Sequence, residues 1–367
     1  MRYALSVIAL VVAVNAASAQ PIRVERERVL GTFGAVDDHD DVVAPTSVGP
    51  GTVSTLVVSK PGAPAIRLHF TIVQRGVAGA WSVLVRGATR QWEHVPTAEE
   101  SEFWSDEIPG ASATVSLISS VDRPGVTLKI DRIAKWIQPT IPKSIVGADE
   151  REPWNQVQEP FRTLGRSVVR LQFVDDVKKK VFVCTGWLVF NNRHLLTNEH
   201  CINSAAEMRS ALADVDFNQG PAPVRSVRLR RLLLSNARLD FSLLELEAPL
   251  DRPALALGTV TVASNQPLAI VEHPAGEPKQ LSERGCMVAI ASVPGVTDDA
   301  TDFEHACDTL GGSSGSPVFD RASMSVIGLH HLGFLPGDKP VNRAVHISAV
   351  VAMIRSSFPD LVKGGSN

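Results

Sequence analysis

An apolar run that ends in a histidine and a cysteine occurs at Leu195-Leu196-Thr197-Asn198-Glu199-His200-Cys201. Further along the chain, Asp240 opens the apolar run Phe241-Ser242-Leu243-Leu244. A third stretch, Gly312-Ser313-Ser314-Gly315-Ser316-Pro317, places a serine in a glycine-rich turn just before a predicted strand. Glycines allow the backbone to fold tightly there and to aim its N–H groups at one point. A serine in that turn is exposed enough to act as a nucleophile.

The three polar side chains of these stretches form a chemically coherent set. A hydroxyl is a weak nucleophile at neutral pH, so Ser314 requires a histidine base, and that base requires an acceptor that fixes its tautomer. Taken alone, each of these residues is explained equally well by a structural role, because glycine-serine turns and aspartates that cap strands are common. Together, the order His200, Asp240, Ser314, with separations of 40 and 74 residues, is similar to that of the chymotrypsin-like proteases.

Short β-rich runs separated by Gly, Pro, Asn and Asp extend on both sides of these stretches. Between residues 52 and 137 they predict a small β-sandwich: Thr55–Ser59, Ile66–Val73, Trp81–Val85, Ala113–Ile118 and Val126–Ile130. The later runs predict two packed barrels: Val168–Phe173, Val181–Phe190, Val224–Leu234, Phe241–Leu246, Leu268–Glu272, Met287–Ala291, Pro317–Phe319 and Ser325–His330. Apolar residues at helical spacing between Ile347 and Phe358 predict a C-terminal amphipathic helix. The predicted fold class is therefore all-β, with a sandwich before a two-barrel domain.

The first 50 residues divide into two parts. Arg2, the apolar run from Ala4 to Val14 and the small residues Ala17-Ser18-Ala19 are typical of a secretory signal peptide, which we assign to residues 1–19. A membrane anchor is the alternative, but the run is shorter than the roughly 20 residues that span a bilayer. Residues 20–50 are polar and turn-rich and predict a flexible segment. Their acidic run at residues 37–41 lacks the glycine and glutamate spacing of an EF-hand calcium loop.

The remaining boundaries follow from the same patterns. The sandwich occupies residues 51–138, and two prolines between Ile137 and Pro142 predict a linker at residues 139–143. The barrel domain then covers residues 144–361. Export implies that the protein is secreted, either to the periplasm or outside the cell.

Composition excludes several classes of protein. Hydrophobic residues make up 44% and charged residues 20% of the 367 residues, which excludes a disordered chain, a collagen and a multi-span membrane protein. The 36 Lys and Arg against 39 Asp and Glu give a net charge of −3. This balance lacks the basic surface that nucleic-acid binding usually needs, so we expect no nucleic-acid partner.

The four cysteines are Cys184, Cys201, Cys286 and Cys307. An oxidising compartment favours disulfides, and the chain lacks the close C-x-x-C pairs that structural zinc sites use. Two disulfides are therefore predicted, and three pairings are possible. Pairing each cysteine with its neighbour in sequence closes short loops, each of which stabilises the fold by roughly 3 kcal/mol in the chain-entropy model.

Four stretches resemble the landmark motifs of trypsin-fold serine endopeptidases. They are residues 184–189 (Cys-Thr-Gly-Trp-Leu-Val), 195–201, 240–244 and 312–317, within a resemblance that covers about residues 144–361. Ser313 and Ser316, where trypsin has aspartate and glycine, resemble the bacterial glutamyl endopeptidase branch. So does the run Ser144-Ile145-Val146-Gly147-Ala148-Asp149-Glu150-Arg151, because mature chains of that branch begin with a similar run. Cleavage after Lys143 is the hypothesis that follows.

The resemblance implies a role for each residue of the three polar stretches. Ser314 is the nucleophile, His200 the general base and then acid, and Asp240 the orienting carboxylate. The backbone N–H groups of Gly312 and Ser314 form the oxyanion hole. Cys184 and Cys201 match the disulfide that ties the histidine loop to its neighbouring strand. A bridge between Cys286 and Cys307 has no clear counterpart in the branch and rests on their proximity in sequence and on export.

The specificity pocket has two opposite interpretations. Asp308, six residues before the nucleophile, is placed to bind a basic P1 side chain as in trypsin, whereas Thr309 and His330 match the residues with which glutamyl endopeptidases bind an acidic one. An ionised Asp308 repels a substrate glutamate unless it is turned away into hydrogen bonds. The alternative for Asp308 is a structural role as a turn cap, and the alternative for His330 is a structural role as a core histidine. We favour acidic P1 residues, and we expect His331 and Gly333 where an edge strand pairs with substrate backbone.

The amino-terminal sandwich carries no catalytic motif. Residues 65–70 and 102–110 look like a module of secreted bacterial trypsin-like proteases, which is either a propeptide or a retained accessory domain. Trp81, Trp92 and Trp104 form either a carbohydrate-binding platform or, as is more common in sandwiches, part of the core.

These observations predict a secreted serine endopeptidase that acts on protein or peptide substrates as a monomer, without a cofactor, a metal ion or a membrane span. One alternative is an inactive trypsin-fold protein that binds through its sandwich or barrels, but all three catalytic residues lie in intact motifs. Another is an active protease with Arg or Lys preference at P1. A zinc hydrolase is disfavoured because no H-E-x-x-H motif is present.

Overall fold

Strands form most of the chain. The structure is a computed structural model and describes residues 31–140, 143–220, 223, 225–297, 299–333 and 342–364. The predicted signal peptide at residues 1–19 lies outside these residues. The strands before residue 141 are β1 (Thr32–Val43), β2 (Gly51–Ser59), β3 (Ala65–Arg75), β4 (Trp81–Arg86), β5 (Gln91–His94), β6 (Glu102–Trp104), β7 (Ile108–Pro109), β8 (Ser112–Ser119) and β9 (Val126–Thr140).

These strands form two sheets that share one core. One sheet has the order β2-β8-β4-β5, and the other contains β1, β9, β3 and β6, with β7 paired to β3. Alternate residues of β8 are buried, as expected for a strand with one face on a core. Val83 and Val115 from the first sheet pack with Leu68 and Leu128 from the second. The predicted sandwich is therefore confirmed. Trp81 and Trp92 are buried in its core, and Trp104 is buried in a separate cluster with Val174 and Val181, so the three do not form an exposed platform.

The acidic run lies in β1, so the prediction of a flexible segment is wrong for residues 32–43. Its carboxylates are paired with side chains that are remote in sequence: Asp37 with Lys60 and Lys135, Asp38 with Lys179, and Asp40 with Lys129. Asp41 pairs with His39, two residues before it. These pairs neutralise the charges of the run along the length of the strand.

The predicted linker at residues 139–143 is also strand at both ends. Thr140 at the end of β9 pairs with Thr32, and Lys143 begins β10. The remaining strands are β10 (Lys143–Ser144), β11 (Glu152–Pro153), β12 (Val168–Asp175), β13 (Lys180–Leu188), β14 (His194–Thr197), β15 (Leu212–Val215), β16 (Arg225–Asn236), β17 (Phe241–Leu246), β18 (Leu268–Glu272), β19 (Gln280–Ser282), β20 (Val288–Val293), β21 (Asp302–His305), β22 (Thr309–Leu310), β23 (Pro317–Asp320), β24 (Ser325–Leu332) and β25 (Asn342–His346).

Two barrel-like sheets follow the sandwich. The first has the order β12-β15-β16-β17-β14-β13 and closes because β12 also pairs with β13. The second has the order β11-β19-β18-β23-β24-β25-β21-β20, and β10 and β22 form a separate pair. Helices α1 (Phe161–Leu164), α2 (Ala205–Ser210), α3 (Ile347–Ser357) and α4 (Pro359–Gly364) lie between and after these strands. The predicted all-β class, with a sandwich, two barrels and a C-terminal helix, is confirmed.

The core of the barrel domain explains the C-terminal helix. Ile347, Val350 and Ile354 of α3 are buried and pack in one cluster with Trp187 and Phe319. Because residues three and four apart share one face of a helix, this apolar stripe attaches α3 to the body of the domain.

The sandwich and the first barrel share a sheet. β1 pairs with β9 on one edge and with β13 on the other, where Gly34 faces Val181. A Cβ atom on Gly34 would lie 2.6 Å from the carbonyl oxygen of Lys135 and 2.7 Å from a methyl group of Val181, so this close approach requires glycine. Backbone hydrogen bonds therefore run continuously from one domain into the other.

A buried ion cluster lies at the same boundary. Arg170 on β12 donates to Asp214 at 2.8 Å, to the sandwich residue Glu107 at 3.0 Å and to the carbonyl oxygen of Gly276 at 3.0 Å. Gln172 donates to both carboxylates, at 2.9 and 2.8 Å. Since buried charges require partners, these contacts fix the sandwich against the barrel.

Candidate active site

His200 and Asp240 meet at the open end of the first barrel. His200 follows β14, Asp240 precedes β17, and these two strands are neighbours. His200 Nδ1 lies 2.7 Å from Asp240 Oδ2, and the backbone N–H of His200 donates to Asp240 Oδ1 at 3.0 Å. Asn198 Nδ2 donates to the carbonyl oxygen of Asp240 at 2.9 Å, which fixes the two loops to each other.

Asp240 is held in an ionised state and in an uncommon backbone conformation. Burial acts to raise its pKa, but the charges and hydrogen bonds of His200 and His331 lower that pKa well below its usual range. Its φ angle is +45°, in the left-handed region that aspartate tolerates better than most residues. A carboxylate in this position fixes the tautomer and the orientation of His200.

Ser314 lies on the second barrel, in the turn between β22 and β23, and it is buried rather than exposed as the sequence predicted. Its carbonyl oxygen accepts from the N–H of Thr185 at 2.8 Å and lies 4.0 Å from Sγ of Cys201, the residue after His200. The structure therefore brings the serine turn against the histidine loop, across the junction of the two barrels.

The backbone of the serine turn presents two amide groups. Gly312 and Gly315 have φ angles of +99° and +86°, which glycine adopts without strain. The N–H of Ser313 donates to Leu310 and that of Gly315 donates to His330. Within the described residues, the N–H groups of Gly312 and Ser314 make no internal hydrogen bond. An oxyanion hole requires two such unused amides.

Both predicted disulfides are present. Cys184–Cys201 joins β13 to the histidine loop, and Cys286–Cys307 closes the loop that leads into β22. Ligand atoms of Cys184, His200 and Cys201 lie within 4.8 Å of one another. Because both sulfur atoms are in the disulfide, this group offers no thiolate to a metal ion.

Asp308 does not face an open pocket. Its Oδ1 accepts from the N–H of Val146 at 2.8 Å, and its Oδ2 accepts from the N–H of Glu150 at 2.9 Å. The carboxylate is buried, and both of its oxygens are engaged by the segment that follows β10. Of the two interpretations of Asp308 in the sequence, the geometry corresponds to the one in which it is turned away into hydrogen bonds.

Thr309 and His330 lie together with two residues that sequence reasoning missed. Thr309 Oγ1 donates to Asn342 Oδ1 at 2.8 Å, and Asn342 Nδ2 donates to the carbonyl oxygens of Ser144 and Cys307 at 3.0 and 2.7 Å. His330 Nδ1 lies 3.1 Å from Nε2 of His305. Strand β21, which carries His305, was not predicted, although its sequence Asp302-Phe303-Glu304-His305 alternates around a buried phenylalanine.

The segment that begins at Lys143 lies along the wall of this candidate pocket. Lys143 pairs with Leu310 and Ser144 with Thr309. Gly333 lies against Ser144, since a Cβ atom on Gly333 would be 3.0 Å from Cβ of Ser144 and 2.8 Å from Oδ1 of Asn342. Thr309, which pairs with this segment, and His330 are both buried.

The side chain of His331 is buried between two carboxylates, and the pairing of this part of the strand with substrate backbone stays a prediction. Nδ1 of His331 lies 3.2 Å from Asp240 Oδ2, and Nε2 lies 2.7 Å from Asp302 Oδ2. Because successive residues of a strand point to opposite faces, His330 and His331 belong to different environments. Asp302 is a further residue that the sequence analysis did not identify.

Glu272 is a buried acid that contacts the serine turn at Ser313. Burial raises the pKa of Glu272 to about 8, against the charge of Arg151 and the contact with Ser313. The carboxyl group is therefore largely neutral at pH 7. Burying it in this form avoids placing a negative charge next to the serine turn.

Part of the chain matches a known protein family. Residues 184–329 match the family model described as trypsin-like peptidase domain. The matched range contains the histidine loop, the aspartate and the serine turn, and it supports a serine peptidase.

The relatives cover only part of the chain. A secreted RxLR effector protein 73 of Plasmopara viticola is 29% identical over 216 residues, which are 53% of this chain and 52% of that protein. A glutamyl endopeptidase of Bacillus licheniformis is 24% identical over 205 residues, 49% of this chain and 56% of that protein. The chain thus spans about half the length of the curated relatives it matches. Among solved structures, the active form of the Rv3671c protease from M. tuberculosis aligns with a TM-score of 0.45 and 15% identity, over 59% of this chain and 92% of that one.

None of the helices in the described residues is long and apolar enough to cross a membrane.

Proposed function

We propose that this protein is a secreted serine endopeptidase in which Ser314, His200 and Asp240 form the catalytic triad. The observation that carries the proposal is the buried pair formed by His200 and Asp240, whose side chains are 2.7 Å apart. The loop that carries His200 also contacts the serine turn. The match of residues 184–329 to a peptidase family supports the proposal. Two disulfides and the similarity to a protein named as a secreted effector support export.

The arrangement supports acyl transfer in two steps. Ser314 Oγ forms a bond to the substrate carbonyl carbon while its proton passes to His200 Nε2, and the N–H groups of Gly312 and Ser314 bind the resulting oxyanion. His200 then gives its proton to the leaving amine, the C–N bond breaks and an acyl-enzyme remains. Water then forms a bond to the acyl carbon while its proton passes to His200. The ester bond to Ser314 Oγ breaks, His200 returns the proton to that oxygen, and the carboxylic acid is released.

We further propose that the substrate side chain at P1 is acidic. Asp308 already accepts two backbone N–H groups, so its charge is not directed at a substrate. Thr309 and His330 offer a hydroxyl and an imidazole, and His305 stands behind His330. A bound carboxylate favours protonation of these histidines, which then supply a charge-assisted hydrogen bond.

Mass spectrometry of a diverse peptide mixture after exposure to the purified protein is expected to locate cuts after Glu and Asp. Since hydrogen bonds to charged groups are strong, we expect acidic P1 residues to exceed Gln by about tenfold or more in kcat/KM. His330→Ala should remove most of this preference.

The matched control for this pocket is Asp308→Asn. This variant keeps one of the two acceptor oxygens of the side chain and removes its charge. It should leave the acidic preference in place. Cuts after Arg or Lys that disappear in Asp308→Asn would contradict the acidic pocket and favour the trypsin-like alternative.

We propose that activation involves cleavage after Lys143, and that the sandwich stays attached afterwards. The pairing of β1 with β13 and the contact of Glu107 with Arg170 do not depend on the bond between residues 143 and 144. Intact-mass analysis of the active secreted protein is expected to find a fragment beginning at Ser144 that elutes with the amino-terminal fragment in gel filtration. An active species that retains every residue from about Gln20 onward in one chain would exclude this cleavage.

A further inference from the structure

One buried histidine connects the orienting carboxylate of the candidate triad to a second carboxylate. His331 lies on β24, and its two ring nitrogens face Asp240 and Asp302 at 3.2 and 2.7 Å. All three side chains are at most 1% exposed. Asp302 begins β21 on the second barrel, whereas Asp240 belongs to the first, so the histidine spans the junction between them.

The two contacts define the protonation state of His331. An imidazole donates to two carboxylates only when both of its nitrogens carry hydrogen. Burial lowers the pKa of His331, but the charge of Asp302 and the hydrogen bonds with Asp240 and Asp302 together raise it to about 9. His331 is therefore an imidazolium at neutral pH, and it donates in both directions.

The other titratable groups around this connection are imidazoles. Burial lowers the pKa of His305 on β21 to about 3 and that of His330 on β24 well below its ordinary value. Burial also lowers the pKa of His346, which lies near Asp302. His200 stands on the other side of Asp240. The charges that control His331 are thus those of Asp240 and Asp302.

We propose that His331 and Asp302 are positioning residues of the active site: protonated His331, held by Asp302, donates its Nδ1–H to Asp240 and fixes the carboxylate that orients His200. This inference rests on the proposed function, in which His200 and Asp240 act on Ser314. Asp240 Oδ1 receives the backbone N–H of His200, and Oδ2 lies between the two imidazoles. Neither oxygen can rotate away without losing a hydrogen bond.

The net charge of Asp240, His331 and Asp302 together is also compatible with catalysis. Two carboxylates and one imidazolium carry one net negative charge, the same as a single aspartate. The imidazolium that forms on His200 during acylation therefore keeps its counter-charge, and Asp240 gains a second rigid donor. Loss of the proton from His331 leaves one N–H for two carboxylates, so kcat should fall as pH rises through about 9.

The test compares wild-type protein with Asp302→Asn, using kcat and KM for one peptide substrate across pH 6–10. In the variant His331 is neutral and gives Asp240 an uncharged hydrogen bond. We expect kcat to fall about tenfold near pH 8 with KM unchanged within about twofold, because charge-assisted hydrogen bonds are about twice as strong as neutral ones. The decline near pH 9 should be absent from the variant. A purely structural role for Asp302 would lower stability without removing that decline.

The matched control is Asp320→Asn. Asp320 is also buried and hydrogen-bonded, to Gln266 and Ser323, but it does not contact the triad, so kcat and its pH profile should equal those of the wild type. Nitrogen-15 NMR of His331 provides a direct second measurement, with two ring N–H signals expected in the wild type at pH 8.

The outcomes separate the inference from the function on which it rests. Wild-type protein that hydrolyses no peptide overturns the proposed function. The NMR titration of His331 then tests only whether this histidine donates hydrogen bonds to both Asp240 and Asp302. Active protein whose Asp302→Asn variant keeps the wild-type kcat and the same decline near pH 9 overturns the inference. So does a His331 that titrates at its ordinary value near 6.5.

Discussion

Ser314→Ala is expected to reduce peptide hydrolysis by about 10⁵-fold or more, because removing the nucleophile of such a triad typically removes nearly all of its catalysis. The backbone of the turn should be unaffected, since the contact of Ser314 with Thr185 uses its carbonyl oxygen. The measurement is kcat/KM on the best peptide from the cleavage map, together with thermal unfolding. We expect the midpoint of unfolding to change by no more than about 2 °C.

The matched control lies in the same turn. Ser316 is buried like Ser314, and its Oγ donates to the carbonyl oxygen of Ser313 at 2.6 Å. Ser316→Ala should lower the free energy of unfolding by about 1 kcal/mol while keeping most of the activity. Hydrolysis by Ser314→Ala at the wild-type rate would remove the assignment. If neither wild type nor variant hydrolyses any peptide, the inactive binding protein becomes the better description.

Arg170→Met is expected to lower the free energy of unfolding by about 3–5 kcal/mol, because it leaves the carboxylates of Glu107 and Asp214 buried without their cation. All three side chains are less than 5% exposed, so water cannot replace the guanidinium. Urea unfolding monitored by tryptophan fluorescence measures the change. Combining Arg170→Met with Glu107→Gln and Asp214→Asn should recover part of the loss, since the uncompensated charges are then removed.

An ion pair with an exposed arginine provides the comparison for this effect. Arg231 contacts Glu245 at 2.7 Å, but the Arg231 side chain is 61% exposed, and Arg193 and Arg230 also contact Glu245. Arg231→Met should therefore change the free energy of unfolding by less than about 1 kcal/mol. A variant Arg170→Met that is as stable as Arg231→Met would show that the ion cluster does not stabilise the boundary between the sandwich and the barrel.

The sequence predicts those parts of the fold that depend on local patterns. Strands β17 and β18 lie at the residues predicted, because their apolar runs are bounded by turn residues and buried throughout. The stripe from Ile347 to Phe358 predicts α3 because its apolar residues recur at helical spacing. Strand β1 was missed because its acidic run resembles a solvated loop. Its partners Lys60, Lys129 and Lys179 are remote in sequence and become neighbours only after folding.

In the candidate site too, only the residues that lie in local motifs were predictable. His200, Asp240 and Ser314 are identifiable because each lies in a motif that is continuous in sequence. The direction of Asp308 was not predictable, since its partners are backbone N–H groups more than 150 residues away. Asp302 has no motif of its own, and only the pairing of β21 with β25 brings it beside His331.

The pairing of β1 with β13 also bears on the order in which the protein assembles. The sandwich has its own core and lies before the barrels in the chain, and domains generally fold as units from the amino terminus during synthesis. The free edge of β1 is then formed before β13 has been made. Strand β13 therefore forms next to an edge that is already ordered, and this edge restricts the registers that β13 can adopt. On this basis we expect the amino-terminal half to act as a template in cis for the folding of the second half.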